Sequence, residues 1–293
     1  MHKFDRCLFA LSAGIALACA VPAPSGAQES MASPRVLQIT REYVKPGKAG
    51  AVHDKAESAF VQAMTRAKWP THYIGLTSLS GKQRAIFLTW YDSFEAWEKD
   101  NAAVAKNSTL SAELDRAGMN DGELLDSLDQ GVFLFSPEMS LRPKKDLSHV
   151  RFLEVLVFHV RSGHGKEWED LVKMYRDGYE KAVPDAHWGT FEEMYGGDGG
   201  TYLVFIGRES LSEIDKGLAD NKQFVAALGE DGMKKLAETE AACVESSQQQ
   251  LFAVNPHMSY VADDWIKADP EFWKPKSMAR PAKPAAEAKK PTP

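Results

Sequence analysis

Hydrophobic and polar positions follow two periods along this chain, and the two periods occur in the same order in each half. In the first half the apolar run Val36–Val44 precedes apolar residues at helical spacing from Val52 to Ala67. In the second half Phe152–Val160 precedes a similar helical pattern from Trp168 to Val183. Short apolar runs are typical of strands, and spacings of three and four are typical of amphipathic helices. Each half is therefore predicted to begin with a strand and a helix that packs on a sheet.

A hairpin is predicted after each of these helices. The helices end before Pro70 and Pro184, since proline cannot continue a helical hydrogen-bond ladder. The glycine-rich segment 196–200 resembles a phosphate-binding loop, but no helix start follows it, so a hairpin turn is predicted there. The predicted hairpin strands are Tyr73–Leu79 with Ala85–Tyr91, and Trp188–Tyr195 with Thr201–Ile206.

Each half is predicted to end with further helical segments and one last strand. Ser93 and Ser210 are the expected N-caps of the second helices, and Val132–Phe135 and Leu251–Val254 are the expected last strands. The resulting order, β-α-β-β-α-β, is that of a ferredoxin-like sandwich. The predicted fold class is α+β, with two tandem ferredoxin-like domains at residues 35–143 and 150–262.

A repeated motif supports this division. Pro137-Glu138-Met139-Ser140 and Pro256-His257-Met258-Ser259 share Pro-x-Met-Ser and lie 119 positions apart. Self-similarity at a fixed spacing indicates an internal duplication.

The first strands of the halves differ in polarity. Phe152–Phe158 is apolar on both faces, which is expected if helices cover one face and a second sheet covers the other. The first strand of the chain instead carries Gln38, Thr40, Arg41 and Glu42. These residues indicate either a wet pocket or an exposed strand edge.

The chain ends predict export. Residues 1–27 combine basic residues, a short apolar run and a small-x-small site, which together describe a signal peptide, and residues 28–34 form a linker. Lipidation at Cys19 is the disfavoured alternative. We expect a periplasmic or extracellular protein. Residues 274–293, rich in Pro, Ala and Lys, are predicted to be disordered.

Charge and cysteine content narrow the classes of function. The net charge is −6, and removing the basic tail and the signal peptide leaves a body near −12. An acidic body argues against nucleic-acid binding, and no membrane-spanning segment is expected. Cys243 is the one cysteine beyond the signal peptide, so the mature chain needs no internal disulfide.

In the segment Trp90–Glu98 a strand runs into a Ser-capped helix that carries aromatic residues. With the element order, this segment resembles the dimeric α/β-barrel superfamily, which includes antibiotic-biosynthesis monooxygenase-like and NIPSNAP-like proteins. The resemblance implies that the two sandwiches form one barrel within the chain, an intramolecular pseudo-dimer. It also implies a small-molecule pocket with aromatic walls, and it leaves haem-linked or cofactor-independent oxygenase activity open.

Eight residues are candidates for such a pocket. Glu154 and His159, on one strand, stand where the first half has Gln38 and Tyr43, and could act as general base and proton shuttle. For the histidines and tryptophans, hydrogen bonding and core packing are the competing interpretation. Candidate catalytic residues are His72, His187, His159 and Glu154, and candidate ligand-binding residues are Trp69, Tyr73, Trp90 and Trp188.

No familiar catalytic motif is present. The sequence lacks His-Glu-x-x-His, Cys-x-x-Cys and Gly-x-Ser-x-Gly, so no metal site and no cofactor is predicted, with haem kept open by the resemblance alone. Three functions remain open: binding of a small, largely apolar molecule, a monooxygenase-type enzyme, and a protein-interaction module. Further oligomerisation is left undecided.

Overall fold

Eight antiparallel strands form one closed barrel in the computed structural model, which describes residues 35–144 and 146–274. The predicted signal peptide, the linker and all of the predicted tail except Lys274 lie outside these residues. The strands are β1 (Val36–Val44), β2 (Tyr73–Ser78), β3 (Arg84–Tyr91), β4 (Leu125–Leu141), β5 (Phe152–Val160), β6 (Trp188–Tyr195), β7 (Thr201–Arg208) and β8 (Val244–Val254).

Helices cover the outer face of the barrel. Helix α5 bends at Gly229, where φ is 67°. Within the described ranges no helix is both long and apolar enough to cross a bilayer. The helices are α1 (Ala51–Ala67), α2 (Phe94–Lys106), α3 (Ser108–Gly122), α4 (Gly165–Ala182), α5 (Ser212–Cys243), and the short α6 (Asp263–Ala268) and α7 (Pro270–Trp273).

Each half of the chain contributes four strands in the same arrangement. The barrel order is β1-β3-β2-β8-β5-β7-β6-β4, and β4 pairs with β1 to close it. The halves meet at two junctions, β4 with β6 and β2 with β8. The α+β class and the antiparallel ferredoxin-like barrel agree with the sequence prediction, while an origin by duplication stays a prediction.

The repeated Pro-x-Met-Ser motif lies at these two junctions. The Ser140 hydroxyl accepts a hydrogen bond from the Thr190 N–H of β6 at 2.9 Å, and the Ser259 hydroxyl accepts one from the Gly75 N–H of β2 at 3.0 Å. Each serine also donates to the carbonyl four residues earlier, at 2.7 Å. The motif therefore ties the last segment of each half to the hairpin of the other half.

Apolar side chains from both halves fill the barrel. Leu37 and Phe133 of the first half and Leu203 and Phe252 of the second half are at most 4% exposed and belong to one cluster. Residues beyond the predicted second domain extend this core. Helices α6 and α7 pack on it where β5 begins, and the Trp273 indole N–H donates to the Ser148 carbonyl at 2.9 Å.

Most strands lie within one or two residues of their predicted bounds, whereas the last strand of each half does not. The bounds of β1, β5 and β6 are as predicted. The last strands, β4 and β8, begin seven residues earlier than predicted, at Leu125 and Val244, because their first halves are polar and exposed and are held by backbone pairing on β1 and β5.

One of the two predicted helix caps is correct. Ser93 caps α2 by accepting the Ala96 N–H at 3.1 Å. The predicted Ser210 cap is wrong, because α5 begins at Ser212 and the Ser210 hydroxyl instead contacts the Ser212 hydroxyl.

Gly75 provides a test of the β2–β8 junction. A Cβ at Gly75 would lie 2.5 Å from the Met258 carbonyl oxygen, so we expect Gly75→Ala to lower the free energy of unfolding by about 1–3 kcal/mol. Gly118→Ala is the control, because its Cβ would meet ordinary contact at 4.0 Å inside α3, where alanine favours the helix. Urea unfolding of both variants measures the difference, and equal stability of the two would contradict the role of this junction.

Candidate metal centre

Four ionisable side chains meet between the outer face of β1 and the helices that cover it. Glu42 projects outward near the end of β1, His53 and Glu57 lie one turn apart on α1, and Asp121 lies in the last turn of α3. A spacing of four places His53 and Glu57 on the same helix face. All four residues are at most 6% exposed. Solvent therefore contributes little to the stabilisation of their charges.

The side chains of this cluster converge on one point. His53 Nε2 lies 3.2 Å from Glu42 Oε2, 3.2 Å from Asp121 Oδ1 and 4.0 Å from Glu57 Oε1. One donor atom from each residue lies within 4.8 Å of all the others. Three acidic groups and one imidazole thus surround a common position.

None of these converging atoms has a hydrogen bond with acceptable angles, although some distances are short. Glu42 Oε2, His53 Nε2, Glu57 Oε1 and Asp121 Oδ1 are all buried without a partner among the described residues. The buried hydroxyl of Tyr73, on β2 beyond β3, is also without a partner there. Buried polar atoms in native proteins nearly always have partners, so this concentration at one place requires an explanation.

Protonation of the cluster is strongly perturbed. Burial raises the pKa of Glu57 to about 10, and the charges of Glu42 and Asp121 add to this effect. Burial also raises the pKa of Glu42. Burial lowers the pKa of His53, but the adjacent Asp121 and Glu42 carboxylates outweigh it and raise that pKa to about 9. Without another cation, the cluster retains protons at neutral pH.

The second half has apolar groups at the positions equivalent to Glu42, His53 and Glu57. Tyr43 and His159 match in strand pairing, so Phe158 stands where β1 has Glu42. Counted back from the last residue of each helix, Trp168 corresponds to His53, and Val172 corresponds to Glu57. The Phe158 and Trp168 rings pack 5.1 Å apart. The fold therefore does not require charged residues here.

The donor set suits a first-row transition-metal ion. With donor–metal bonds of about 2.0–2.2 Å, donors on one ion are separated by about 2.8–4.4 Å. The 3.2 and 4.0 Å separations lie in that range, and the widest spread of 4.8 Å needs a small contraction. One imidazole with three carboxylates favours Mn, Fe, Co or Zn over the all-oxygen coordination typical of Mg²⁺ and Ca²⁺.

A cavity lies inside the barrel, on the face of β1 opposite the acidic cluster. It has a volume of about 340 Å³, an apolar wall that includes Ile86, Val155 and Phe205, and polar residues including Arg84 and His159. Arg41 and Tyr43 line this cavity while the intervening Glu42 faces the helices. Because alternate residues of a strand point to opposite faces, β1 serves both places. The polar residues of β1 therefore mark a pocket and a buried cluster, since the barrel is closed and β1 is not an edge strand.

The structure separates the predicted Glu154–His159 pair. Five positions along a strand is an odd spacing, so the two side chains point to opposite faces of the sheet. His159 lines the barrel cavity, whereas Glu154 accepts a hydrogen bond from Arg208 Nε at 2.6 Å on the outer face. The two residues cannot act on one ligand, and His159 alone remains a candidate in the cavity.

The other two candidate histidines are far less free to react. Both ring nitrogens of His187 face carbonyl oxygens, at 2.9 Å from Asp185 and 3.0 Å from Gly207. The His72 ring stacks on Tyr260 at 4.9 Å, and burial lowers the pKa of His72. Their surroundings match the packing interpretation, and their catalytic roles remain untested predictions.

The four candidate aromatic residues do not surround one pocket. The Trp69 indole donates to Asp100 at 2.9 Å, and the Trp188 indole donates to the Met139 carbonyl at 2.9 Å. Trp90 packs against the barrel core, and Tyr73 lies beside the acidic cluster.

Haem is not supported by these environments. A haem iron needs an accessible axial ligand such as histidine or thiolate. Both nitrogens of His187 are occupied, and Cys243 is buried in an apolar cluster with Trp168 and Leu171. Only His159 among the candidate histidines faces the small barrel cavity. No chemistry is therefore assigned to haem.

None of the four cluster residues was selected from the sequence, which predicted no metal site. One signal was present, the His53-x-x-x-Glu57 spacing on a helix that must bury one face. The same spacing is common on solvated helix faces, and Asp121 joins the cluster only through the fold.

Comparisons with known proteins identify the fold. No family model matches the sequence, and no curated protein matches it. A proposed monooxygenase from Fusobacterium nucleatum is similar in structure, with a TM-score of 0.52 and 12% identity over 76% of this chain and 94% of that one. A proposed monooxygenase from Lactobacillus acidophilus has a TM-score of 0.47 and 7% identity over 75% and 94% of the two chains. A variant chlorite dismutase from Candidatus Nitrospira defluvii, in complex with cyanide, has a TM-score of 0.44 and 10% identity over 81% and 95%. At 12% identity the likeness to the Fusobacterium structure shows a shared fold alone.

The cluster predicts an unusual dependence of stability on pH in metal-free protein. Glu57 and His53 have raised pKa values in the folded state, so their contribution to stability is present at low pH and is lost as the pH rises. The loss runs from 4.5 toward about 10 for Glu57 and from 6.5 toward about 9 for His53. With EDTA present, we expect the free energy of unfolding to fall between pH 6.5 and 8.5, by on the order of 1 kcal/mol per pH unit for each retained proton. Urea titrations at several pH values measure this slope.

Glu57→Gln isolates the cluster's share of the pH effect. Glutamine resembles the protonated acid but cannot ionise, so the slope should be shallower in this variant. Glu240→Gln is the matched control, because Glu240 lies four residues before β8 as Asp121 lies four residues before β4, outside the cluster. Equal slopes in Glu57→Gln and wild type would refute the proposed protonation of Glu57.

Proposed function

We propose that this protein binds one first-row transition-metal ion through Glu42, His53, Glu57 and Asp121. The observation that carries the proposal is the convergence of four buried donor atoms without hydrogen-bond partners. The apolar residues at the equivalent positions of the second half support it, because they indicate that packing alone has a simpler solution.

Charge balance at this site can be met by an ion in either the divalent or the trivalent state. Three carboxylates with a neutral imidazole carry a charge of −3, which a trivalent ion neutralises and a divalent ion leaves at −1. A divalent ion would be balanced if Glu57 kept its proton, in line with its raised pKa. Iron and manganese cycle between these two states, so we infer a redox-capable centre and favour an oxidoreductase over a purely structural metal site.

The Tyr73 hydroxyl fits such a centre. It is buried and lacks a partner among the described residues, and burial, followed by the charges of Glu57 and Glu42, raises its pKa. It therefore remains a hydroxyl donor at neutral pH, able to donate to a metal ligand or a water on the ion. An oxygenase-type reaction agrees with the description of the Fusobacterium protein, although a shared fold does not establish a shared activity.

Manganese binding tests the proposal directly. We expect EDTA-treated, dialysed protein to remove one equivalent of Mn²⁺ from the six-line EPR signal of the free ion. At a free Mn²⁺ concentration about 100-fold above Kd, binding should stabilise the fold by about 2.7 kcal/mol and raise Tm by about 5–10 °C.

Substitutions then assign the site. Glu57→Gln and His53→Gln should weaken Mn²⁺ binding by at least about tenfold, the effect seen even for residues that only support metal ligands. Glu240→Gln should bind Mn²⁺ as wild type does. Absence of binding of Mn²⁺, Fe²⁺, Co²⁺ and Zn²⁺ by folded wild-type protein would refute the metal site and leave a proton-sharing structural network.

Binding of a small, largely apolar molecule is a second candidate function, supported by the barrel cavity. The volume of about 340 Å³ is at the lower end of the range of about 300–1,000 Å³ found for ligand pockets. Apolar walls with a few polar groups are typical of such pockets. Export and the role of the basic tail remain proposals based on sequence alone, as does the interaction-module alternative.

A further inference from the structure

We propose that the barrel cavity selects small organic carboxylates, which Arg84 recognises at the polar end of an otherwise apolar pocket. This inference rests on the proposed binding of a small molecule in that cavity and names its chemical class. It is independent of the metal centre, which lies on the other face of β1.

Arg84 is held in place but incompletely satisfied. Its guanidinium lies over the rings of Tyr43 and Phe252, 5.7 and 5.2 Å from the ring centroids. Its Nη2 donates to Gln250 Oε1, and its buried Nε has no partner among the described residues. Aromatic contacts fix the orientation of the planar group and thereby reduce the entropy lost on binding. A guanidinium fork of this kind matches the two oxygens of a carboxylate.

Arg84 is the site for an anion in the cavity, because Arg41 is paired and the acidic residue Asp198 of the lining is exposed to solvent in the β6–β7 turn. Arg41 is already paired with Asp129. Among the described residues, no carboxylate oxygen lies within 4.0 Å of the Arg84 guanidinium nitrogens. Glu193, on β6, stands three strands away from β3 around the barrel, and burial raises its pKa, which weakens its repulsion of an anion.

The remaining walls define the rest of the ligand. Ile39, Ile86, Val157, Leu203 and Phe205 supply apolar surface. A small inorganic anion would leave this surface uncovered, whereas an apolar body with one carboxylate covers it and pairs with Arg84. Helices α6 and α7 pack on the barrel core where β5 begins, whereas the cavity includes residues of the β6–β7 turn, at the opposite end. The ligand is therefore expected to enter from the side of that turn.

His159 provides a second polar contact for the ligand, as a hydrogen-bond acceptor where Arg84 is a donor. The Thr201 hydroxyl donates its proton to the Asp198 carbonyl at 2.8 Å, so it must accept from His159 Nδ1 at 3.2 Å. In neutral His159 the proton is therefore on Nδ1, and Nε2 is an acceptor. A hydroxyl on the apolar body of the ligand would find its acceptor there.

Isothermal titration with 2-naphthoate and its neutral analogue 2-naphthamide tests the inference. EDTA is kept in all samples, so the carboxylate cannot bind through a metal ion. We expect wild-type protein to bind 2-naphthoate at least about tenfold more tightly than 2-naphthamide, in keeping with a charge-assisted hydrogen bond. Arg84→Gln should abolish this preference and leave 2-naphthamide affinity unchanged.

Two further variants keep the test decisive. Arg84→Lys retains the charge but not the fork and should keep an intermediate preference, so it replaces Arg84→Gln if that variant does not fold. Arg66→Gln removes an exposed arginine outside the cavity and should behave as wild type. Equal affinity of wild type for both probes would overturn the carboxylate inference alone, as would an unchanged preference in the Arg84 variants. Absence of binding of either probe would overturn both this inference and the proposed cavity function.

Discussion

The pairing of β4 with β6 and of β2 with β8, at the junctions between the halves, is the constraint on which the barrel depends. A four-stranded sheet from one half would expose two edges and a large apolar face. Ser140 and Ser259 each satisfy an N–H of the opposite hairpin while also donating back to their own segment. Closure then buries the two inner faces against each other and removes the edges. The Pro-x-Met-Ser repeat that marks the sequence thus adds a side-chain hydrogen bond to each junction between the halves.

Closure also gives β1 two different tasks. In a closed barrel every strand has an inner and an outer face, and successive residues point alternately to one face and the other. Arg41 and Tyr43 face the cavity, and Glu42 between them faces the helices. A polar strand that looks like an exposed edge therefore supplies two buried environments of opposite character. The inner one also receives Arg84 of β3, and the outer one holds a concentration of acidic groups.

Sequence reasoning succeeded where a single physical signal dominates. Runs of strand-forming residues set the bounds of β1, β5 and β6, and the lack of a following helix start distinguished the hairpin at 196–200 from a phosphate loop. It failed for β4 and β8, whose polar first halves are held by backbone hydrogen bonds that leave no hydrophobic pattern. It also did not single out the buried acidic cluster. His53 and Glu57 look like one solvated face of a helix, and the contacts that bury them come from Glu42 and from Asp121, far along the chain.

The difference between the halves depends on their being covalently joined. Glu42, His53 and Glu57 stand in the first half where Phe158, Trp168 and Val172 stand in the second. A homodimeric barrel of the same shape would contain every side chain twice, so an acidic cluster in one subunit would necessarily appear in the other. The unfavourable burial of four ionisable groups would then be incurred twice. A single chain incurs it once, and its aromatic half can supply the stability that the acidic half gives up.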